Sequence, residues 1–86
     1  MAAKDTFLAA CAVVGWTIAD TSPALDDLAE HLFDHAVRGS DAWSRIMVRV
    51  RDAVAIAEDG GAIGDVVLPL GEATLRAQDA GVALPS

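Results

Sequence analysis

The chain has 86 residues, enough for one domain with one modest hydrophobic core. Asp and Glu total 13 against 6 for Lys and Arg, which gives a formal net charge of -7. This acidic balance argues against broad binding to nucleic-acid backbones, because such binding needs clustered cations. The single cysteine excludes an intramolecular disulfide and any cysteine-rich zinc site.

Hydrophobic residues make up 53% of the chain, although aromatic residues contribute only 5%. So much apolar surface on a small chain predicts that a partner covers part of it. The apolar run from Phe7 to Ala19 is too short to span a bilayer, and its basic flank is weak for a signal peptide. We therefore expect a cytoplasmic protein that does not enter a membrane.

The first predicted helix covers residues 5–19. Apolar residues recur at helical spacing on one side, and the other side, which includes Trp16, is apolar as well. A helix that is apolar all round lies in a core or in an interface. Gly15 has a low helix propensity, and close approach of a neighbouring helix is the expected compensation. Cys11 is expected to be a buried and unreactive thiol.

The second predicted helix, residues 22–38, has the clearest start and stop signals. Ser22 can cap its first turn, and Pro23 fits the first helical position because its missing N–H is not needed there. Gly39 can adopt the left-handed conformation that ends a helix. A wide apolar arc faces a strongly acidic side, so this segment is predicted to organise a helical bundle.

The third predicted helix covers residues 40–58, with Ser40 as its cap. A strand over Ile46–Ile56 is the alternative, because apolar residues recur there at even-numbered positions, which would lie on one face of a strand. A strand would place Asp52 on the same buried face, which favours the helix. The fourth predicted helix covers residues 65–80.

In the fourth helix Asp65 is the predicted cap and Gly81 the stop signal, and the last residues are expected to fold back as a short apolar tail. Short connections between consecutive helices favour antiparallel neighbours. The sequence therefore predicts an all-α fold, a compact bundle of three to four helices that forms a single domain over residues 1–86.

Several apolar residues fall outside the predicted core arcs or on the second side of the first helix. They are the candidate protein-interface residues Trp16, Val48, Ile56, Leu68 and Leu75. We expect them to be covered by a homodimer partner, a higher oligomer or a larger protein. The leading hypothesis is thus a small acidic protein-interaction module or assembly subunit.

A metal- or small-ligand-binding bundle is the first alternative. His31 and His35 lie one helical turn apart, and Asp27 lies one turn before His31. Two imidazoles at this spacing can reach one transition metal, with Asp27 as a third ligand. A solvated polar face with local acid–histidine pairs accounts for the same residues.

A helix-turn-helix DNA-binding protein is the second alternative, because four arginines, Arg38, Arg45, Arg49 and Arg51, flank the predicted turn at Gly39. The acidic total opposes it, and pairing of these arginines with carboxylates of the second helix or of a partner is the simpler interpretation. The sequence shows no nucleophile beside a base, so neither an enzymatic activity nor a cofactor is predicted.

Overall fold

The computed structural model describes residues 2–19, 22–34 and 36–86. Its helices are α1 (Ala3–Val13), α2 (Leu25–His31), α3 (Asp41–Glu58) and α4 (Ile63–Asp79). The described ranges contain no strand. The prediction of an all-α bundle is confirmed, and so is the choice of helix over strand for Ile46–Ile56.

Helices α3 and α4 form an antiparallel pair on which the other helices pack. Arg76 Nη1 donates a hydrogen bond to the Arg45 carbonyl at 2.8 Å, and Arg49 lies opposite Glu72 nearer the middle of the pair. Helix α1 packs against both members of the pair, whereas α2 packs against α3. The pair therefore has an inner face toward α1 and α2 and an outer face away from them.

The core lies between α1 and the inner face of the α3–α4 pair, with Phe33 added from the segment after α2. Burying one large apolar side chain contributes about 1.5–3 kcal/mol, so a few such residues dominate the stability of a chain this short. The largest fully buried side chains are Phe7, Phe33, Ile46, Met47, Leu70, Val50, Val66 and Cys11.

Helix α1 is shorter than the predicted helix over residues 5–19. It ends at Val13 because Gly15 takes a φ of 84°, and the Trp16 N–H then donates to the Cys11 carbonyl at 2.9 Å. This is the hydrogen-bond pattern of a glycine-terminated helix. The prediction that Gly15 lies inside a helix and permits close helix packing is wrong, since Gly15 ends the helix.

Trp16 lies in the core, where its side chain is 3% exposed, and not on the surface where the sequence predicts an interface. Its ring meets Phe33 edge to face, with centroids 5.3 Å apart and an interplanar angle of 83°. The indole Nε1–H donates to Thr74 Oγ1 at 2.9 Å. Trp16 thus joins the non-helical segment after α1 to α4 and to the segment after α2.

The C-terminal residues fold back on the bundle, as predicted. The Thr17 N–H donates to the Pro85 carbonyl at 3.0 Å, and Val82 and Leu84 pack against the core. This contact satisfies a backbone group of the α1–α2 connection without a helix or strand.

Helix α2 covers only seven residues of the predicted helix over residues 22–38. Its N-cap is Ala24, so Ser22 and Pro23 precede the cap and the predicted capping roles are wrong. Between the first two helices the sequence Asp20–Ser22 is expected to form a short turn, and its residues 20 and 21 lie outside the described residues.

The end of α2 is set by burial of the apolar residues that follow it. Phe33 is fully buried against Trp16, and the Leu32 N–H bonds to Ala29 three residues back at 3.3 Å. This tightens the last turn. Arg38 Nη2 then donates to the Glu30 carbonyl at 2.9 Å, which satisfies an acceptor near the helix end.

Helix α3 begins as predicted, because Ser40 Oγ accepts a hydrogen bond from the Trp43 N–H at 3.2 Å. After α3 the chain turns so closely that a Cβ at Gly61 would lie 2.5 Å from Ile56 Cγ2. Helix α4 begins at Ile63, so Asp65 lies in its first turn and is not its N-cap as predicted.

We expect truncation of Trp16→Ala to lower the free energy of unfolding by about 3–5 kcal/mol, because it leaves a cavity between three segments. Thr74→Val should cost about 1–3 kcal/mol, since it leaves the buried indole N–H without an acceptor and also removes the hydrogen bond from Thr74 Oγ1 to the Leu70 carbonyl. Urea titration followed by circular dichroism measures both losses. Val13→Ala, at a position 65% exposed, is the control and should lie within about 0.5 kcal/mol of the parent. A Trp16→Ala variant as stable as this control would contradict the proposed role of Trp16.

Candidate functional site

The outer face of the α3–α4 pair carries apolar side chains that no other described part of the chain covers. Val48 is 47% exposed, Leu68 73% and Leu75 61%, while Ile56 is half-buried at the edge of the core. We call this surface, together with the charged residues between the two helices, the α3–α4 outer face. Four of the five predicted interface residues meet there, and Trp16 is the exception.

Helical geometry explains why these residues are exposed. Val48 lies opposite the buried stripe of α3, which includes Ile46 and Val50. Leu68 and Leu75 lie one heptad apart, so they project from the same side of α4 and away from the core. The two helices therefore present two apolar ridges with a groove between them.

The groove has a volume of about 430 Å³ and an apolar floor. Ala55 and Ile56 line it from α3, and Leu68 and Pro69 line it from α4. Pro69 is itself buried inside α4, and helical periodicity alone gives no sign that it contributes to the floor of a groove. The groove could accommodate apolar side chains of a protein partner.

A chain of ion pairs crosses the groove. Arg49 Nη1 lies 2.6 Å from Asp52 Oδ2, and Arg49 Nε lies 3.3 Å from Glu72 Oε2 as an ion pair without an aligned hydrogen bond. Glu72 Oε1 in turn accepts from Arg76 Nη2 at 2.7 Å. Two cations and two anions thus alternate along the face. Each of these partly exposed ion pairs contributes about 0–1 kcal/mol to the free energy of unfolding. Their main effect is therefore on the charge of the surface.

The arginines near α2 pair with that acidic helix and with the turn after it. Arg51 Nε and Nη2 both donate to Glu30 Oε1, at 3.2 and 3.1 Å, and Arg38 Nη2 donates to Asp34 Oδ1 at 3.2 Å. Both guanidinium groups also lie over the Trp43 ring, at 5.5 and 5.9 Å from its centroid. A DNA-binding role would require these arginines to exchange their carboxylates for phosphates.

The predicted metal ligands are placed only in part. Asp27 and His31 lie on exposed positions of α2, and His35 lies outside the described residues. Among the residues that are described, no three His, Cys, Asp or Glu side chains are grouped so that they could hold a metal ion. The site formed by Asp27, His31 and His35 stays a prediction.

His31 has a local partner in the turn that follows α2, since its Nδ1 lies 3.1 Å from Asp34 Oδ2. Partial desolvation alone would raise the pKa of Asp34. The hydrogen bonds and positive charge of Arg38 and His31 outweigh it and lower the pKa of Asp34 below its ordinary value. This is the acid–histidine pairing that the sequence offers as the alternative to a metal site.

A second groove, of about 310 Å³, lies between α2 and α3. Asp26 and Glu58 both line it, and the charge of Asp26 together with a hydrogen bond between the two side chains raises the pKa of Glu58. Weak desolvation and the charge of Asp59 add to the shift. The charge of Asp26 therefore makes ionisation of the Glu58 carboxyl less favourable.

Cys11 is fully buried on α1. Burial raises the pKa of its thiol to about 12, because the charged thiolate is poorly solvated there. Nucleophilic chemistry at sulfur requires the thiolate. At neutral pH the side chain therefore acts as a small apolar core residue.

Comparison of the chain with protein-family models, with curated proteins and with solved structures finds no match. None of the helices in the described ranges combines the length and the apolar character needed to cross a bilayer.

We expect Asp26→Asn to lower the pKa of Glu58 toward its ordinary value, because the neighbouring charge is removed. NMR titration of the Glu58 carboxyl carbon measures the shift. Asp27→Asn is the matched control, since it removes a charge from the same first turn of α2 but Asp27 is not among the causes of the Glu58 shift.

The interaction between Asp26 and Glu58 also makes the stability of the fold depend on pH. The folded-state pKa of Glu58 is raised, so the folded state holds its proton more tightly than the unfolded chain does. This favourable contribution is complete below the ordinary glutamate pKa and is lost as the pH rises through the raised value. In Asp26→Asn that loss should shrink, and an unchanged pH profile would contradict the interaction.

Cys11 should react with a thiol reagent such as 5,5′-dithiobis(2-nitrobenzoate) only when the chain opens. We expect negligible labelling of the native protein at neutral pH and rapid labelling in denaturing urea, since both burial and the raised pKa suppress the reaction. Rapid labelling of the native protein would show that α1 separates readily from the α3–α4 pair.

Proposed function

We propose that this chain is a small, acidic, helical protein-interaction module or assembly subunit, non-enzymatic and cytoplasmic, that associates through the α3–α4 outer face. One observation carries the proposal: the exposed side chains of Val48, Leu68 and Leu75 lie on the same face as the half-buried Ile56. Single exposed apolar residues are common on proteins, whereas a group on one face is typical of an interaction site.

The composition of the face also supports association with a protein. The Leu68–Leu75 ridge of α4 runs along one side of an apolar groove, and the charged groups in the groove are paired with one another. A partner can cover paired charges at a lower desolvation cost than unpaired ones, since each charged side chain keeps its oppositely charged neighbour. Proteins generally join through such apolar centres with polar surroundings.

Rigid presentation of the face supports the proposal further. Both helices of the pair extend through the whole core, and α3 is capped by Ser40 at its start and closed at Gly60 and Gly61 at its end. The ridges are therefore held in place before a partner arrives. A preorganised surface loses less conformational entropy on binding.

We expect Leu75→Asp to abolish association while leaving the fold intact. The substitution puts a charge at the centre of the contact, and the position is already 61% exposed, so the monomer is little affected. The measurements are light scattering after size-exclusion chromatography and mass spectrometry of proteins cross-linked in the native cell.

Val13→Asp is the matched control for Leu75→Asp. Val13 is 65% exposed, on α1 and away from the outer face, and the substitution adds the same charge. The proposal requires that Leu75→Asp lose its complexes and Val13→Asp keep them. Complexes that tolerate both substitutions, or a parent chain that forms none in either measurement, would refute it.

A further inference from the structure

We infer that the occupant of the α3–α4 outer face is a second copy of this chain, packed through the same face about a two-fold axis. The inference rests on the proposed function and identifies the partner of that surface. It follows from the distribution of charge over the molecule and from the shape of the face.

Charge is distributed unevenly between this face and the rest of the chain. The face and its edge carry three of the six basic residues, Arg45, Arg49 and Arg76, and four carboxylates, Asp41, Asp52, Glu72 and Asp79. These seven side chains sum to -1, so -6 of the net charge of -7 resides on the rest of the chain. Two copies repel one another in most orientations, and the repulsion is smallest when their outer faces meet.

The ion pairs inside the face also suit a copy better than a strongly charged partner. Arg49 is held by Asp52 and Glu72, and Glu72 is shared with Arg76, so the groove shows a partner little net charge. A basic protein would find its complementary carboxylates elsewhere on the molecule, for instance at Asp26 and Glu58. Charge complementarity thus selects a partner with a neutral contact surface, which this chain itself has.

The shape of the face is compatible with its own copy. In each chain the ridge of Leu68 and Leu75 on α4 runs beside the groove that lies between α3 and α4. Under a two-fold axis the ridge of each copy meets the groove of the other, because such an interface uses the same patch twice. In the resulting dimer, the α3–α4 pair of one copy packs on the α3–α4 pair of the other. Leucines one heptad apart favour this kind of helix packing.

The response of dimerisation to salt tests the inference. Between about 0.1 M and about 1 M NaCl the screening length falls from roughly 10 Å to roughly 3 Å. The Cα extent of one chain is 20 Å in its shortest direction, so the repulsion between two chains of charge -7 is felt at the lower salt and is nearly gone at the higher. We expect the dimer dissociation constant from sedimentation equilibrium to fall roughly tenfold.

A charge reversal locates the interface. Arg49→Glu makes the face acidic and should weaken the dimer more than Arg38→Glu, which makes the same change in net charge beside α2. Arg49→Met removes the positive charge without placing another carboxylate beside Asp52 and Glu72, so it should weaken the dimer less than Arg49→Glu does. Circular dichroism of each variant shows whether it is folded, and Arg49→Met keeps the test valid if Arg49→Glu unfolds.

Two outcomes would overturn the inference. A dimer that weakens as salt rises would show that attraction between opposite charges holds the copies together. A strict monomer at all salt concentrations would exclude a second copy. If that monomer still lost a cross-linked cellular partner on Leu75→Asp but not on Val13→Asp, the proposed function would stand and only the identity of the partner would be wrong.

Discussion

The burial of Trp16 is the contact on which the arrangement of the first half of the chain depends. Its ring packs edge to face on Phe33, and its indole N–H is satisfied by Thr74 on α4. Neither flanking segment is helical at these points, so side-chain packing holds them where regular backbone bonding does not. Helix α2 is short and packs mainly on α3. A helix of this length is unstable alone, so the Trp16–Phe33 contact adds to the packing on α3 that keeps it ordered.

The sequence predicts the α3–α4 half of the molecule better than the α1–α2 half, for a physical reason. In α3 the apolar period and the Ser40 cap agree, and the helix ends where predicted. In α2 the apolar period continues past His31, but Phe33 is drawn into the core by Trp16, a contact between residues distant in the chain. Gly15 is compatible both with a helix interior and with a helix end, and tertiary packing decides between them.

The α3–α4 outer face was predictable as a set of exposed apolar positions, but its pattern of charges was not. Helical periodicity alone places Leu68 and Leu75 away from the core, and their exposure confirms this placement. The pair Glu72–Arg76 has the spacing of a helical ion pair and could have been found in the sequence. The link between Arg49 and Glu72 could not, because it depends on the register of two helices. For Trp16 the sequence allows either a core or an interface position, since an apolar face does not show which neighbour covers it, and the structure places this side chain in the core.

The ion pairs between α3 and α4 have a consequence for how two molecules would meet. Carboxylates predominate on the remaining surfaces, whereas the ion-pair chain of Arg49, Asp52, Glu72 and Arg76 is neutral, so the electric field around the molecule is anisotropic. An approaching copy experiences a torque as well as a repulsive force, and the torque turns the least charged faces toward each other before contact. The acidic surface would thus orient two approaching copies and slow their association. The affinity of the dimer would come from the leucines.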